Sequence, residues 1–264
     1  MERRKISIGE VKKFWSTYKF LGIVSILSFL IIWFIFTKDG LGIIAPIKLP
    51  SPLMVIKAVV KLKEVILLDI LATSARVLSG LLTGLIIGVG FGLLMSFYKK
   101  LNYFFSPLIE SMRPVPVIAM IPFFLMWFGI TEPGKFILIV LGVFNIMIIN
   151  TLEAVKNVPL IYINAAQTLG ADKKQIFKRI IIPAIIPELI GPIRVATALS
   201  FTLTVAAEFM GTNFGLGYRI LDARRLFNTD VIFLGIVLFG IIASLFDMGN
   251  QKIFRYFTRW SERI

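Results

Sequence analysis

The chain has 264 residues, 57% of them hydrophobic, and a mean hydropathy of +0.87. Soluble domains are about 45–50% apolar, so most of this chain belongs in a membrane, and its length leaves no room for a large soluble catalytic domain. The net charge of +14 points to basic cytoplasmic loops before nucleic acid, and the lack of Cys and His excludes disulfides, Cys or His metal sites and His general bases.

Residues 1–19 form a polar, basic segment. The apolar run after them has no clear small-residue cleavage site, so it reads as a retained first span. A bilayer core needs about 20 apolar helical residues. Six segments qualify: Phe20–Phe36, Ser74–Tyr98, Phe104–Phe128, Phe136–Val155, Ala184–Met210 and Val231–Met248. Strand periodicity is absent. The expected fold is therefore all-α, a polytopic membrane protein of six transmembrane helices, with residues 20–249 as the membrane domain and 250–264 as a basic tail.

Six spans put both termini on one side. That side holds 17 Lys and Arg: three in Arg3–Lys5, Lys12, Lys13, Lys19, Lys99, Lys100, Lys156, Lys173, Lys174, Lys178, Arg179, Lys252, Arg255, Arg259 and Arg263. The other side holds 9, including Lys38, Lys48, Lys57, Lys61, Lys63 and Lys135. The positive-inside rule then makes both termini cytoplasmic in a multi-pass protein of the cell membrane.

Along the second expected span, Gly80, Gly84, Gly88 and Gly92 recur every four residues. Such a stripe lets another helix come close, either within one subunit or across a dimer seam. Pro114, Pro116 and Pro122 interrupt the third span, and Pro187 and Pro192 the fifth. These breaks either line a pathway or are static kinks.

Between the fourth and fifth spans lies a charged insert, "NAAQTLGADKKQIFKRIIIP", residues 164–183. Pro159 to Leu169 reads as a short helix that Gly170 stops by adopting the left-handed cap. Asp172 then caps a second helix, with Gln175 completing a capping box. Ile176, Phe177 and Ile180 face one side of it and Lys173, Lys174 and Lys178 the other, up to Pro183. The result is a helix–Gly–helix elbow at about 156–183, either lying on lipid headgroups or holding a partner.

Ionisable residues within the spans are few: Arg76, Glu110, Arg113, Glu188, Arg194 and Glu208. Charges at depth face protein or water. They fit either a path for a polar solute, anionic near the arginines, or structural ion pairs, and Arg76 and Glu208 lie near the outer ends of their spans. The loop at 211–224 carries Gly211, Gly215 and Gly217 with Phe214 and Tyr218, and reads as an outer gate or as a plain turn.

The insert resembles the cytoplasmic signature of the permeases of ATP-binding-cassette importers. Asn164, Ala165, Ala166, Gly170, Ile180, Ile182 and Pro183 keep its spacing, with Asn164 in place of the signature Glu and Ile182 in place of Leu. Over roughly residues 45–260 the chain is similar to the sulfonate, nitrate, taurine and pyrimidine-precursor branch. The matching stretches are "LPSP" at 49–52, "SARVLSGLLTG" at 74–84, "RPVPVIAMIPFFLMWFGI" at 113–130 and "AEFMGTNFGLGYRILDAR" at 207–224. The resemblance implies a permease subunit that carries a small polar solute, anions included.

It implies as partners two copies of an ATP-binding subunit, a second permease copy, an extracellular or periplasmic solute-binding protein and membrane lipid, with no nucleic acid, no cofactor and no metal. The elbow is then a coupling helix seated in the ATPase, using Asn164, Ala165, Ala166, Gly170, Asp172, Phe177 and Pro183. Arg113, Glu188, Arg194, Glu208, Gly215 and Gly217 are the pathway or gate candidates, the loop being favoured as a gate. The chain holds no phosphate loop of the Gly-x-x-x-x-Gly-Lys-Ser/Thr type, so ATP hydrolysis is expected on the partner and not here. A proton-coupled secondary transporter is the alternative reading, and an integral-membrane enzyme the weakest.

Overall fold

The structure is a computed structural model that describes residues 8–37 and 39–257. The sequence readings that fall on Arg3, Arg4, Lys5, Lys38, Arg259 and Arg263, and on the outer parts of the 1–19 and 250–264 segments, lie outside the described residues. Every regular element among the described residues is helical. In order they are α1 (Ile8–Phe36), α2 (Pro52–Lys61), α3 (Ile66–Phe97), α4 (Lys99–Met112), a 3₁₀ turn (Val117–Met120), α5 (Ile121–Phe128), α6 (Glu132–Lys156), α7 (Leu160–Thr168), α8 (Lys173–Ile176), a π turn (Phe177–Ile181), α9 (Ile182–Glu188), α10 (Ile190–Phe209), α11 (Leu216–Arg225) and α12 (Thr229–Phe257).

The all-α, membrane-spanning expectation holds, and four to five crossings are identified among the described residues. Among the described residues four helices, α3, α6, α10 and α12, are long and apolar enough to cross a bilayer. The expected third span is not straight: α4 and the segment Val117–Phe128 meet at 86° and make a fifth crossing if taken together. The apolar stretch Phe20–Phe36 is shorter than these. The bend has a plain cause. Pro114 and Pro116 carry no N–H, so no helical ladder runs through them, and Pro116 sits in extended backbone as the cap of the 3₁₀ turn. The expected fifth span is likewise divided, into α9 and α10 around Leu189.

The chain forms two compact units. In the first, built from described residues up to Lys63 and from Ala223–Leu234, α2 starts at an Ser51 cap that accepts from the Met54 N–H, with Pro52 in the first turn. Trp33 Nε1 donates to the Pro50 carbonyl at 2.9 Å, and Lys61 pairs with Asp230 at 3.0 Å.

The second unit, Glu64–Asp222 and Gly235 onward, is organised by α3 and α6. The glycine stripe resolves as packing within the subunit. A Cβ at Gly80, Gly84, Gly88 or Gly92 would strike Ile139, Val143, Met147 or Thr151 respectively, at 2.4–2.8 Å. Both series rise together, so α3 and α6 run parallel, with their C-terminal ends on one side. Two parallel crossings require a return crossing between them, which the bent α4–α5 pair supplies. Helix α10 returns antiparallel, with Leu203 packed on Gly142 and Glu208 beside Arg76.

Candidate functional site

The elbow forms much as its sequence dictates. Gly170 has φ +79° and closes α7 with both bonds of a Schellman motif: its N–H donates to the Gln167 carbonyl at 2.9 Å, and the Ala171 N–H to the Ala166 carbonyl at 3.0 Å. The capping box is complete. The Gln175 N–H donates to Asp172 Oδ1 at 2.7 Å and the Asp172 N–H to Gln175 Oε1 at 2.9 Å.

Two features differ from the sequence reading. First, Lys173 does not face away from Phe177, although it is exposed. Its Nζ donates to the Phe97 carbonyl at 2.7 Å and lies 4.5 Å from the Phe97 ring, so it caps the C-terminal end of α3. Phe177 stacks edge-on to the same ring at 5.0 Å, so it anchors the elbow to its own chain. Second, α9 begins at Ile182 with Pro183 in its first turn, but no gap separates it from the elbow. Helix α8 runs into α9 through the π turn, in which the Ile182 N–H reaches the Phe177 carbonyl. The widened turn stands just before the proline that cannot continue the normal ladder.

The free surface of the elbow is α7. Leu160, Ile161 and Tyr162 are exposed, and Leu169 is 88% exposed. Asn164 and Ala165 are exposed beside them, and Ala166 is half-buried. A cluster of large apolar side chains held on a rigid turn is the signature of an interaction surface.

A second cluster closes the opposite end of the bundle. Glu208 has no accessible surface, and its carboxylate accepts from Arg76 Nη1 at 2.7 Å, Thr73 Oγ1 at 2.8 Å and the Gly217 N–H at 2.7 Å. Arg76 also grips Glu132 with Nε and Nη2, and Lys135 reaches the same carboxylate at 2.9 Å. Asp69, equally buried, accepts from the Gly215 N–H and from Arg219 Nε. Gly215 has φ +134°, and any Cβ there would lie 2.5 Å from the Glu208 carboxylate. Glu208, Gly215 and Gly217 thus belong to one satisfied network that pins the 211–217 loop to α3, α6 and α10.

The other candidates lie elsewhere. Arg194 makes a two-pronged pair with Asp247 at 2.7 and 2.9 Å. With Glu188 it lines a cavity of about 440 Å³ that Gln251 and Arg255 also border. Arg113 pairs with Glu153 at 3.5 Å and lines another cavity, of about 350 Å³, where the α4–α5 break faces α6 and α10. The sequence reading missed Asp69, Thr73, Asn145, Asn150 and Arg219. A signal existed for the first two: Asp69, Thr73 and Arg76 recur at helical spacing, but hydropathy placed the helix start at Ser74 instead of Ile66.

Comparison with known proteins agrees with this geometry. Residues 80–251 match the family profile described as "Binding-protein-dependent transport system inner membrane component". The chain is 32% identical over 247 residues to the taurine transport system permease protein TauC of Escherichia coli, covering 91% of this chain and 89% of that protein. It is 32% identical to the aliphatic sulfonates transport permease protein SsuC of Bacillus subtilis, over 84% of this chain and 81% of that one. It is 27% identical to the formylaminopyrimidine transport permease protein ThiX of Halalkalibacterium halodurans, over 90% and 95%. Its fold is similar to a chain of the MetNI methionine transporter in an inward-facing conformation, with a TM-score of 0.61 and 21% identity, covering 72% of this chain and 94% of that one.

Proposed function

The chain belongs to the family of binding-protein-dependent transport system inner membrane components and is the permease of an ATP-binding-cassette importer; from that premise we propose that its elbow is the socket piece for a separate ATPase. The observation that carries this reading is the exposed apolar face of α7, presented on a turn locked by the Schellman motif and the capping box and tied to α3 through Lys173. Asn164, Ala165, Ala166 and Leu169 meet the partner, while Gly170, Asp172, Phe177 and Pro183 set the geometry.

The elbow stands at the C-terminal ends of α3 and α6. Lys99, Lys100, Lys156, Lys174, Lys178 and Arg179 gather at that end, which supports its being cytoplasmic. Two permease copies with two ATPase subunits and an external solute-binding protein form the working importer. The relatives' names support a small polar solute, an oxyanion in the case of taurine and the aliphatic sulfonates.

Reconstitution tests the reading. Proteoliposomes holding this chain alone should show no uptake of taurine with ATP, and adding the cognate ATPase and binding protein should restore ATP-driven transport. Accumulation by the chain alone under a proton gradient would replace the importer with a secondary carrier.

A further inference from the structure

The cavity of about 350 Å³ beside the α4–α5 break carries chemistry that the elbow and the outer network do not use. Its wall combines apolar side chains from the 3₁₀ turn, α6 and α10 with three polar groups: Arg113, Asn145 and Asn150. No carboxylate borders it. Asn145 stands one residue past the midpoint of α6, a helix long and apolar enough to cross a bilayer, is only half-buried, and its carboxamide has no hydrogen-bond partner among the described residues. A carboxamide left open within such a helix is unfavourable against lipid and needs water or a polar ligand. Asn150 uses its amide on the Ile146 carbonyl at 2.8 Å, which leaves its oxygen for the cavity. Arg113 approaches Glu153 at 3.5 Å through Nη2, and its side chain is 64% exposed. Irregular backbone at membrane depth occurs where it lines a wet cavity, and the 86° break supplies it here.

We propose that this cavity is a solute-binding station at mid-membrane, selective for a small oxyanion such as a sulfonate or carboxylate head group. Asn145 donates a hydrogen bond to the oxyanion, and Arg113 supplies the positive potential. The inference rests on the importer reading and adds the location and charge preference of the site.

The natural absence of Cys makes the test direct. Ile149→Cys, on the cavity wall but without a role in holding the oxyanion, is introduced into the complete transporter in membrane vesicles and titrated with an anionic (sulfonatoethyl) and a cationic (trimethylammonioethyl) methanethiosulfonate. Rates are normalised to those of a free thiol. The anionic reagent should be favoured by about fivefold, a modest effect for one charge in a site of intermediate dielectric. Arg113→Gln should bring the ratio back to near one, and ethanesulfonate, but not choline, should slow the anionic labelling about threefold. Asn145→Leu in the Ile149→Cys background should abolish the ethanesulfonate protection, and Val117→Cys borders the same cavity and gives the same reading if Ile149→Cys does not assemble. A thiol inert to both reagents in a transporter still active in ATP-driven uptake means a second copy of the chain covers the cavity. That overturns the station and leaves the importer reading intact, as does an unchanged ratio in Arg113→Gln. Loss of ATP dependence itself would instead strike the importer reading.

Discussion

Arg76 on α3 and Glu208 on α10 meet at 2.7 Å, with the carboxylate wholly enclosed. Removing one partner of such a pair strands a buried charge, at a cost of about 3–5 kcal/mol. Arg76→Ala should therefore lower the thermal midpoint of the detergent-solubilised protein on the order of 10 °C. Glu208→Gln keeps an acceptor for Thr73 and leaves Arg76 its Glu132 partner, so it should lower it less. Equal midpoints for Arg76→Ala and the parent protein would remove the outer network as a stabilising feature.

The parallel helix pair gives a cleaner comparison. At Gly84 a Cβ would meet Val143 Cβ at 2.6 Å, whereas at Gly90 nothing lies within 4 Å. Gly84→Ala should destabilise by about 1–3 kcal/mol through overpacking. Gly90→Ala should be neutral or gain up to about 1 kcal/mol from helix propensity. The two unfolding curves, recorded side by side, check the order.

The elbow predicts a pattern of assembly. At Gly170 space is free but φ is +79°, so strain alone decides. Gly170→Asn should be tolerated, since Asn visits that region, while Gly170→Val should be strained by about 1 kcal/mol or more and swing the capped helix out of line. Ala166→Asp puts a charge at the proposed contact. In co-purification, Gly170→Val and Ala166→Asp should lose the ATPase and Lys174→Gln should keep it. Normal recovery in both would end the coupling role.

Topology is checked by single cysteines in intact cells. Lys174→Cys should resist an impermeant maleimide added outside, and Phe214→Cys, half-exposed in the loop at the other end of the bundle, should react. Labelling of Lys174→Cys from outside would invert the orientation.

How much the sequence discloses depends on whether the cause is local. The Gly170 cap and the Asp172–Gln175 box need only a few neighbouring residues, so both are legible there. The glycine stripe is legible as a stripe, but its partner on α6 depends on the tertiary register. Lys173 was misread because its acceptor, the Phe97 carbonyl, lies 76 positions away. The start of α3 was misplaced because hydropathy treats Asp69 and Thr73 as reasons to leave the membrane, whereas both are enclosed by loop amides. Asn145 carries no sequence signal at all; only the cavity beside it gives it meaning.

The parallel pairing of α3 and α6 also bears on how the chain is made. Each groove glycine waits for a side chain 59 positions downstream, as Gly80 does for Ile139. At about 5–20 residues per second, α3 emerges from the ribosome roughly 3–12 s before its filling arrives. In that interval its grooved face is open to lipid or to other nascent helices, and the proline-broken return crossing must cross the bilayer before its own support exists. Biogenesis is therefore most vulnerable in the window between α3 and α6, where an insertase would protect the chain most and slower synthesis would lengthen the exposure.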